Sequence, residues 1–208
     1  MDQLRYSSVP AWAVSDLSGT TRPDSDPAHL AGREDTASEH LLVGVGPAAA
    51  EVLSQIGSRG GAIPTTRILV TDNDRAGGGQ LDTTPAERAA AAMSGHLRAA
   101  SVGVRITIAG SASDCLLLRA RAIADGAEDD EVSVIAVDWG TVTVFCAHCR
   151  AVTAARARIG EVITCAGCGR EVVVYHHVSR RTGFHLGYMI DAERSGQHPV
   201  RSDSGVPS

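Results

Sequence analysis

Cys146, Cys149, Cys165 and Cys168 are the residues of this chain whose type and spacing most directly specify a chemistry. They form a C-x2-C-x15-C-x2-C pattern, a spacing that reads as a two-knuckle metal-binding module. Two residues between thiolates let one tight turn aim both sulfurs at a single ion, while successive backbone N–H groups offset their negative charge. Four thiolates around one ion complete a tetrahedron and leave no position for water or substrate. The pattern therefore predicts a structural ion, zinc before any other. A rubredoxin-like iron or a [2Fe-2S] cluster also accepts four cysteines, although the usual plant-type cluster spacing differs. Free thiols are the remaining reading. Gly169, directly after Cys168, suits the positive φ that such a turn needs. Arg150 takes that place in the first knuckle, which should make the first turn less regular. With four sulfurs available, His148, His176 and His177 are not needed as ligands and read as surface or supporting imidazoles.

A second pattern could handle a nucleotide. Gly44-Val45-Gly46-Pro47-Ala48-Ala49 matches G-x-G-x-x-A between an apolar run and a helical segment, a context that can cradle a pyrophosphate on a helix N-terminus. Gly44, Gly46 and Ala49 are its candidate residues, with Asp72 as the acidic partner. Asp72 stands 28 residues beyond Gly44, where about 20 is usual. The plainer reading gives the glycines a tight turn and close helix packing. Asp72, Asp74 and Asp82 share no fixed ligand spacing and read as solvated loop carboxylates. No Ser–His–Asp order or carboxylate pair is placed for catalysis, so no catalytic residue is assigned. Cys115, on an apolar helix face, reads as a small buried hydrophobe.

These residues need elements to position them. Apolar runs Leu41 to Gly46, Ile68 to Val70, Val104 to Ala109 and Val132 to Val137 alternate with helical segments. One helix opens at Pro47, one spans about Pro85 to Ala100, and one carries Cys115 to Ile123 behind a cap at Ser111 or Ser113. Alternation of this kind predicts an α/β fold, a Rossmann-like parallel sheet with helical crossovers. After Trp139-Gly140 the texture changes to short alternating strands, Thr141 to Phe145, Glu161 to Thr164 and Glu171 to Tyr175, with the cysteine pairs at their ends. That is a small C-terminal zinc-ribbon module.

The expected domains are a flexible N-terminal arm (1–38), the α/β domain (39–140), the ribbon with a docking segment (141–193) and a disordered tail (194–208). Within the arm, the apolar cluster Val9 to Val14, with Trp12, could dock on the folded part.

Composition narrows the function. Of the 208 residues 43% are hydrophobic but only 3% aromatic, so the core must be built from Ala, Val, Leu and Ile. The formal charge of −5 gives no general attraction to nucleic acid or to an anionic membrane. The stretch from Arg150 to Arg181 is locally basic, with six Arg against two Glu. A zinc ribbon that contacts nucleic acid is thus an alternative, but it lacks an aromatic platform. No run approaches the roughly 20 apolar residues of a membrane span. No basic-then-apolar leader opens the chain, and paired thiols suit a reducing compartment, so a cytoplasmic location is expected.

The segment His176 to Glu193 is dense in expressive side chains. Arg180 and Arg181 can pair with carboxylate or phosphate, and Phe184, Tyr188 and Met189 offer interface-type area. It reads either as a partner-docking segment or as a strand or turn that completes the ribbon.

The combination of Phe145-Cys146-Ala147-His148-Cys149, Cys165-Ala166-Gly167-Cys168, His176-His177-Val178-Ser179-Arg180-Arg181, Gly187-Tyr188 and Asp191-Ala192-Glu193 resembles the DmmA-like small subunit of bacterial dimethylamine monooxygenase. The resemblance implies a multisubunit enzyme that demethylates dimethylamine to methylamine and formaldehyde with NADPH and O₂. It implies haem, flavin, iron–sulfur and NADPH on the partner reductase and haem oxygenase subunits. This chain would contribute zinc-stabilised structure and contacts, with Ser179, Arg180, Arg181, Tyr188, Asp191 and Glu193 as docking residues and no activity alone. The α/β half also resembles, in outline, the nucleotide-binding domain of ferredoxin-type reductases, through Gly44 to Ala49 and Ile106 to Gly110. No reactive Cys or aromatic stacking residue ends the chain as in a working reductase. A nucleotide- or flavin-handling redox protein is the competing reading.

Overall fold

The structure, a computed structural model, describes residues 8–13, 37–57, 63–71 and 83–190. Its first half is a four-stranded, wholly parallel sheet of strands β1 (Glu39–Val45), β2 (Thr65–Val70), β3 (Val104–Ser111) and β4 (Val132–Asp138), in the order β2-β1-β3-β4. The helices are α1 (Pro47–Gly57), α2 (Pro85–Ala99) and α3 (Ala112–Ala124). Parallel strands covered on both faces lose the polar alternation of exposed strands and read as continuous apolar runs. Accordingly Leu41, Leu42 and Val43 are all fully buried.

The two faces of this sheet are covered differently. Leu41, Val43, Ile106, Ile108 and Val134 pack against α2 and α3 through Ala89, Met93, Cys115 and Leu118. Leu42, Ala109 and Ile135 cluster with α1, through Ala49, Leu53 and Ile56. That face also carries a buried polar pair, His40 Nε2 and Thr107 Oγ1, 2.8 Å apart. Helix starts follow their capping residues. Thr84 and Glu87 form a reciprocal capping box at α2, and Ser111 Oγ accepts from the Asp114 amide at α3, so the cap is Ser111 and not Ser113.

The second half is a five-stranded sheet of β5 (Val142–Cys146), β6 (Val152–Ala155), β7 (Val162–Thr164), β8 (Glu171–Val178) and β9 (His185–Met189), in the order β6-β5-β9-β8-β7. All pairings are antiparallel except β5 with β9. Its buried face holds Val142, Val144, Val174 and Ala157, with Trp139 donating its indole N–H to the Ala157 carbonyl at 2.8 Å.

A small third cluster joins the halves. Val9 and Ala13 of the N-terminal segment pack with Leu116 of α3 and Val178 of β8, and Trp12 fills the edge. Ser8 Oγ accepts from the Val178 amide at 2.9 Å. The apolar cluster in the N-terminal arm therefore docks, through Val9 to Ala13, where the two sheets meet; Val14 lies outside the described residues. Among the described residues no helix is long and apolar enough to cross a membrane.

Candidate metal centre

Each cysteine pair sits where a strand stops and a tight turn begins. Cys146 is the last residue of β5, and Cys165 follows β7 directly. The turns are near copies. The Arg150 amide donates to the Cys146 carbonyl and the Gly169 amide to the Cys165 carbonyl, both at 2.9 Å. The Cys146 amide donates to the Ala151 carbonyl at 2.9 Å and the Cys165 amide to the Arg170 carbonyl at 2.8 Å. Gly169 takes the expected positive φ of 69°, and Arg150 takes φ 64°. The first knuckle is thus as regular as the second, against the expectation from its missing glycine. The paired hydrogen bonds impose the left-handed conformation on the arginine.

Neighbouring elements hold the knuckles in place. The Ala147 amide donates to the Gly187 carbonyl of β9 at 3.0 Å, and the Ala166 amide to Thr153 Oγ1 of β6 at 3.0 Å. Gly167 has no room for a side chain, since a Cβ there would collide with Ala151 Cβ and lie 3.1 Å from Cys149 Sγ.

The four sulfurs all lie within 4.8 Å of one another, with Cys149 and Cys165 3.5 Å apart and Cys146 and Cys168 4.0 Å apart. A tetrahedron with metal–sulfur bonds of about 2.3 Å has sulfur–sulfur edges of about 3.8 Å. The donor set therefore fits one tetrahedral, thiophilic ion, with all four positions filled by protein. Cys146 and Cys165 are 1% exposed, so half of the shell is already closed to solvent.

The electrostatics agree with thiolate ligation. Amide hydrogen bonds from Cys168 and Gly167 pull the Cys165 thiol down to about 6, helped by its hydrogen bonds to Cys149 and Cys146 against the cost of burial. At Cys149 the Ala151 amide pulls down, but burial and hydrogen bonds to Cys165, Cys168 and Cys146 win and push it to about 12. Four thiols at this spacing cannot all ionise without a cation, so one takes the charge and a neighbour keeps its proton. A bound divalent ion removes that conflict and releases the remaining protons.

The other candidate residues fall elsewhere. His148 and His177 are exposed, whereas His176 is buried at 8% exposure and lies against Tyr175, ring centroids 3.9 Å apart and planes tilted by 42°. Cys115 is fully buried, its Sγ 3.8 Å from the Ile135 carbonyl, and burial ahead of the Asp114 and Asp138 charges raises its pKa. It packs as the small hydrophobe its sequence context suggests.

Gly44 lies in β1 and Gly46 links it to α1, at the first sheet and not at the sheet that carries the sulfur cluster. A Cβ on Gly44 would lie 2.7 Å from Leu69 Cδ2 and 2.8 Å from Leu53 Cδ1, and Ala49 is fully buried under the sheet. Gly46 has φ 86° and its amide is already bonded to the Val70 carbonyl at 2.9 Å. Close packing and a turn account for all three residues. Asp72, like Asp74 and Asp82, lies outside the described residues.

The docking segment divides. Ser179 to Gly183 forms a turn against α3, where a Cβ on Gly183 would lie 2.6 Å from the Leu116 backbone. Arg180 is exposed, its guanidinium 3.9 Å from Asp129, and Arg181 is exposed too. Residues 185–189 become β9, the middle strand of the second sheet, with Tyr188 41% exposed. Asp191 and Glu193 lie outside the described residues. Sequence reasoning passed over Thr153 and named Gly187 only within the family resemblance; both brace the knuckles.

Fold and site together define a two-part protein, a parallel α/β sheet joined to a small sheet carrying a closed four-cysteine site. Residues 143–188 match the family model described as the C-terminal domain of the dimethylamine monooxygenase subunit DmmA-like proteins. The chain is also 32% identical, over 179 residues, to the heme-dependent oxidative N-demethylase delta subunit of Ectopseudomonas mendocina (strain ymp). That alignment covers 86% of this chain and 95% of the relative. No solved structure matches the chain. The chain belongs to the DmmA-like family that includes this delta subunit.

Proposed function

We propose that this chain is the delta-type accessory subunit of a multisubunit, heme-dependent oxidative N-demethylase, and that its metal is structural zinc. The observation that carries the reading is the 32% identity running through 86% of the chain, both sheets included. The sulfur geometry supports the structural role. Four protein thiolates occupy every position of a tetrahedral ion, so no site is left to polarise an amine, bind O₂ or activate water. Zinc bound by Cys146, Cys149, Cys165 and Cys168 would supply fold stability and no redox chemistry.

In this reading the demethylation of dimethylamine to methylamine and formaldehyde, with NADPH and O₂, takes place on reductase and haem-bearing subunits. The parallel sheet acts as a Rossmann-like scaffold without a nucleotide. The competing nucleotide-handling role is weakened because packing already accounts for Gly44, Gly46 and Ala49.

The test is co-expression of the full chain with the reductase and haem subunits. The chain is expected to co-purify with about one zinc per copy, expected for one four-cysteine site, and its omission to abolish amine-dependent NADPH oxidation. Purification of an active complex without it overturns the proposal. Tight NADPH binding by the isolated chain, or absorbance between about 400 and 500 nm of the kind iron–sulfur or flavin gives, favours the competing role instead.

A further inference from the structure

The second sheet has one closed face and one open face. On the closed face Val142, Val144, Val172 and Val174 are at most 1% exposed. Directly paired residues project from the same side of a sheet, so the strand registers define the opposite side. There Val162 of β7 pairs with Val173 of β8, which pairs with Tyr188 of β9. Two residues back along β9, Leu186 pairs with Phe145 of β5, which pairs with Val152 of β6. The two rows join at β9 into one apolar band that crosses all five strands. Val152, Val162 and Tyr188 remain 47%, 49% and 41% exposed. The band holds three of the seven aromatic residues that are Phe, Tyr or Trp in the chain once Tyr175 is counted, its ring 6.2 Å from that of Tyr188. A protein this poor in aromatics has placed three of them on this face, half-buried or exposed, where they dominate contact energetics.

Charge identifies the occupant. Exposed Arg150, Arg156, Arg158 and Arg170 lie in the turns and strand ends that bound the band. With the exposed Glu161 and Glu171 in the same turns and strand ends, the rim holds four Arg against two Glu, a balance of +2, in a chain whose total is −5, which leaves −7 on the rest. A twofold contact between copies of this face would set the same arginines against one another. A surface with an apolar centre and an acidic rim meets no such repulsion.

Resting on the subunit reading above, we infer that the outer face of β6-β5-β9-β8-β7 is the docking surface for another subunit of the N-demethylase, one that presents an apolar patch ringed by carboxylates. The contact buries the band and pairs the arginines across the rim. Association is accordingly faster and tighter at low salt. The metal acts at a distance here: it fixes the ends of β5 and β7, and so keeps the two rows of the band in register.

The test uses the full chain co-expressed with the other subunits. The triple variant Val152→Thr, Val162→Thr and Tyr188→Ser is expected to lower the co-purifying fraction at least tenfold while metal content stays at the wild-type level. A matched control, Val102→Thr, alters a valine 94% exposed on the first half of the chain and is expected to change nothing. Hydroxyl-radical labelling of wild-type Tyr188 gives a reading that needs no variant, and is expected to fall several-fold in the complex relative to the free chain. Equal labelling in an assembled wild-type complex overturns the docking face and leaves the subunit reading standing. A wild-type chain that does not assemble overturns both. A free chain that dimerises with Tyr188 protected assigns the face to a second copy and overturns the heteromeric partner.

Discussion

The two sheets of this protein are stabilised by different physics. The parallel sheet buries Leu41, Leu42, Leu53, Met93, Ile106, Ile108 and Leu118 completely, so burial of large aliphatic groups holds it. The smaller sheet has no fully buried aliphatic side chain larger than valine, and its largest wholly enclosed residue is His185. Part of its interior, around Cys146, Cys165 and Val172, is sulfur. A unit of this size with such a core needs a further source of stability, and an ion held by the four cysteines would supply it by coupling metal binding to folding. The difference teaches where function can be placed. The first half is held by its own aliphatic core, whereas a half tied at its strand ends by a metal can leave one sheet face open.

The comparison breaks first at the metal. Cys165→Ser, or a strong chelator, is expected to remove the ion and unfold the second sheet, because structural zinc contributes on the order of 10 kcal/mol in small modules. Segment-resolved hydrogen exchange should show free exchange in β5 to β9 while β1 and β3 keep their protection. Equal loss of protection in both sheets would show that the halves do not differ as argued. In the parallel sheet the counterpart is Leu118→Ala, which empties a fully buried position and is expected to cost about 2–5 kcal/mol. Denaturant unfolding should register that loss with metal content unchanged.

Protonation sharpens the contrast further. His185 is 1% exposed, and its Nδ1, 3.3 Å from the Tyr175 carbonyl, must donate to that acceptor. Burial lowers its pKa below 6.5, with the carbonyl bond pulling weakly the other way. In the window between the folded value and 6.5 the unfolded chain binds a proton that the folded chain does not. Stability is therefore full above that window and falls as the pH drops through it. His185→Gln, whose amide can still donate to Tyr175, should abolish that slope. The measurement is unfolding free energy against pH at points where metal analysis shows the ion retained; an unchanged slope assigns the acid sensitivity to other groups.

Much of this contrast was legible in the sequence. Four apolar runs, proline at the helix starts and a Ser cap located the parallel sheet and its helices, because buried parallel strands carry long apolar runs and helix-start chemistry is local. The cysteine spacing located the site for the same reason. What stayed hidden is non-local. Val152-Thr153-Ala154-Ala155 is short and small, and becomes β6 only by pairing with β5. His185-Leu186-Gly187-Tyr188-Met189 contains a glycine and a histidine; a strand completing the ribbon was one of its two readings, but its place as the middle strand comes only from pairing with β5 and β8. Gly187 is required there because a Cβ would lie 2.7 Å from Val144 Cγ1, a fact of packing across 43 residues of chain. Arg150 in a left-handed turn was equally invisible, since only the finished hydrogen bonds of the knuckle demand it.

That arginine provides the finest test. The two knuckles have the same hydrogen bonds and nearly equal φ angles, 64° at Arg150 and 69° at Gly169, but different residues at the left-handed position. A side chain in that region costs about 1–2 kcal/mol. Gly169→Ala should therefore destabilise the second knuckle by about 1 kcal/mol or more. Arg150→Gly should relieve the same strain in the first, less the extra freedom that glycine gives the unfolded chain, for a net gain of about 0.5 kcal/mol. The guanidinium complicates the sign, because a positive charge beside four thiolates favours the loaded site. Salt separates the two effects. In about 1 M salt the screening length falls to about 3 Å and the charge contribution is largely removed. The stabilisation by Arg150→Gly, read as the midpoint of competition against a metal indicator, should then emerge or grow. If the variant weakens metal binding equally at low and high salt, backbone strain at Arg150 is not what distinguishes the two knuckles.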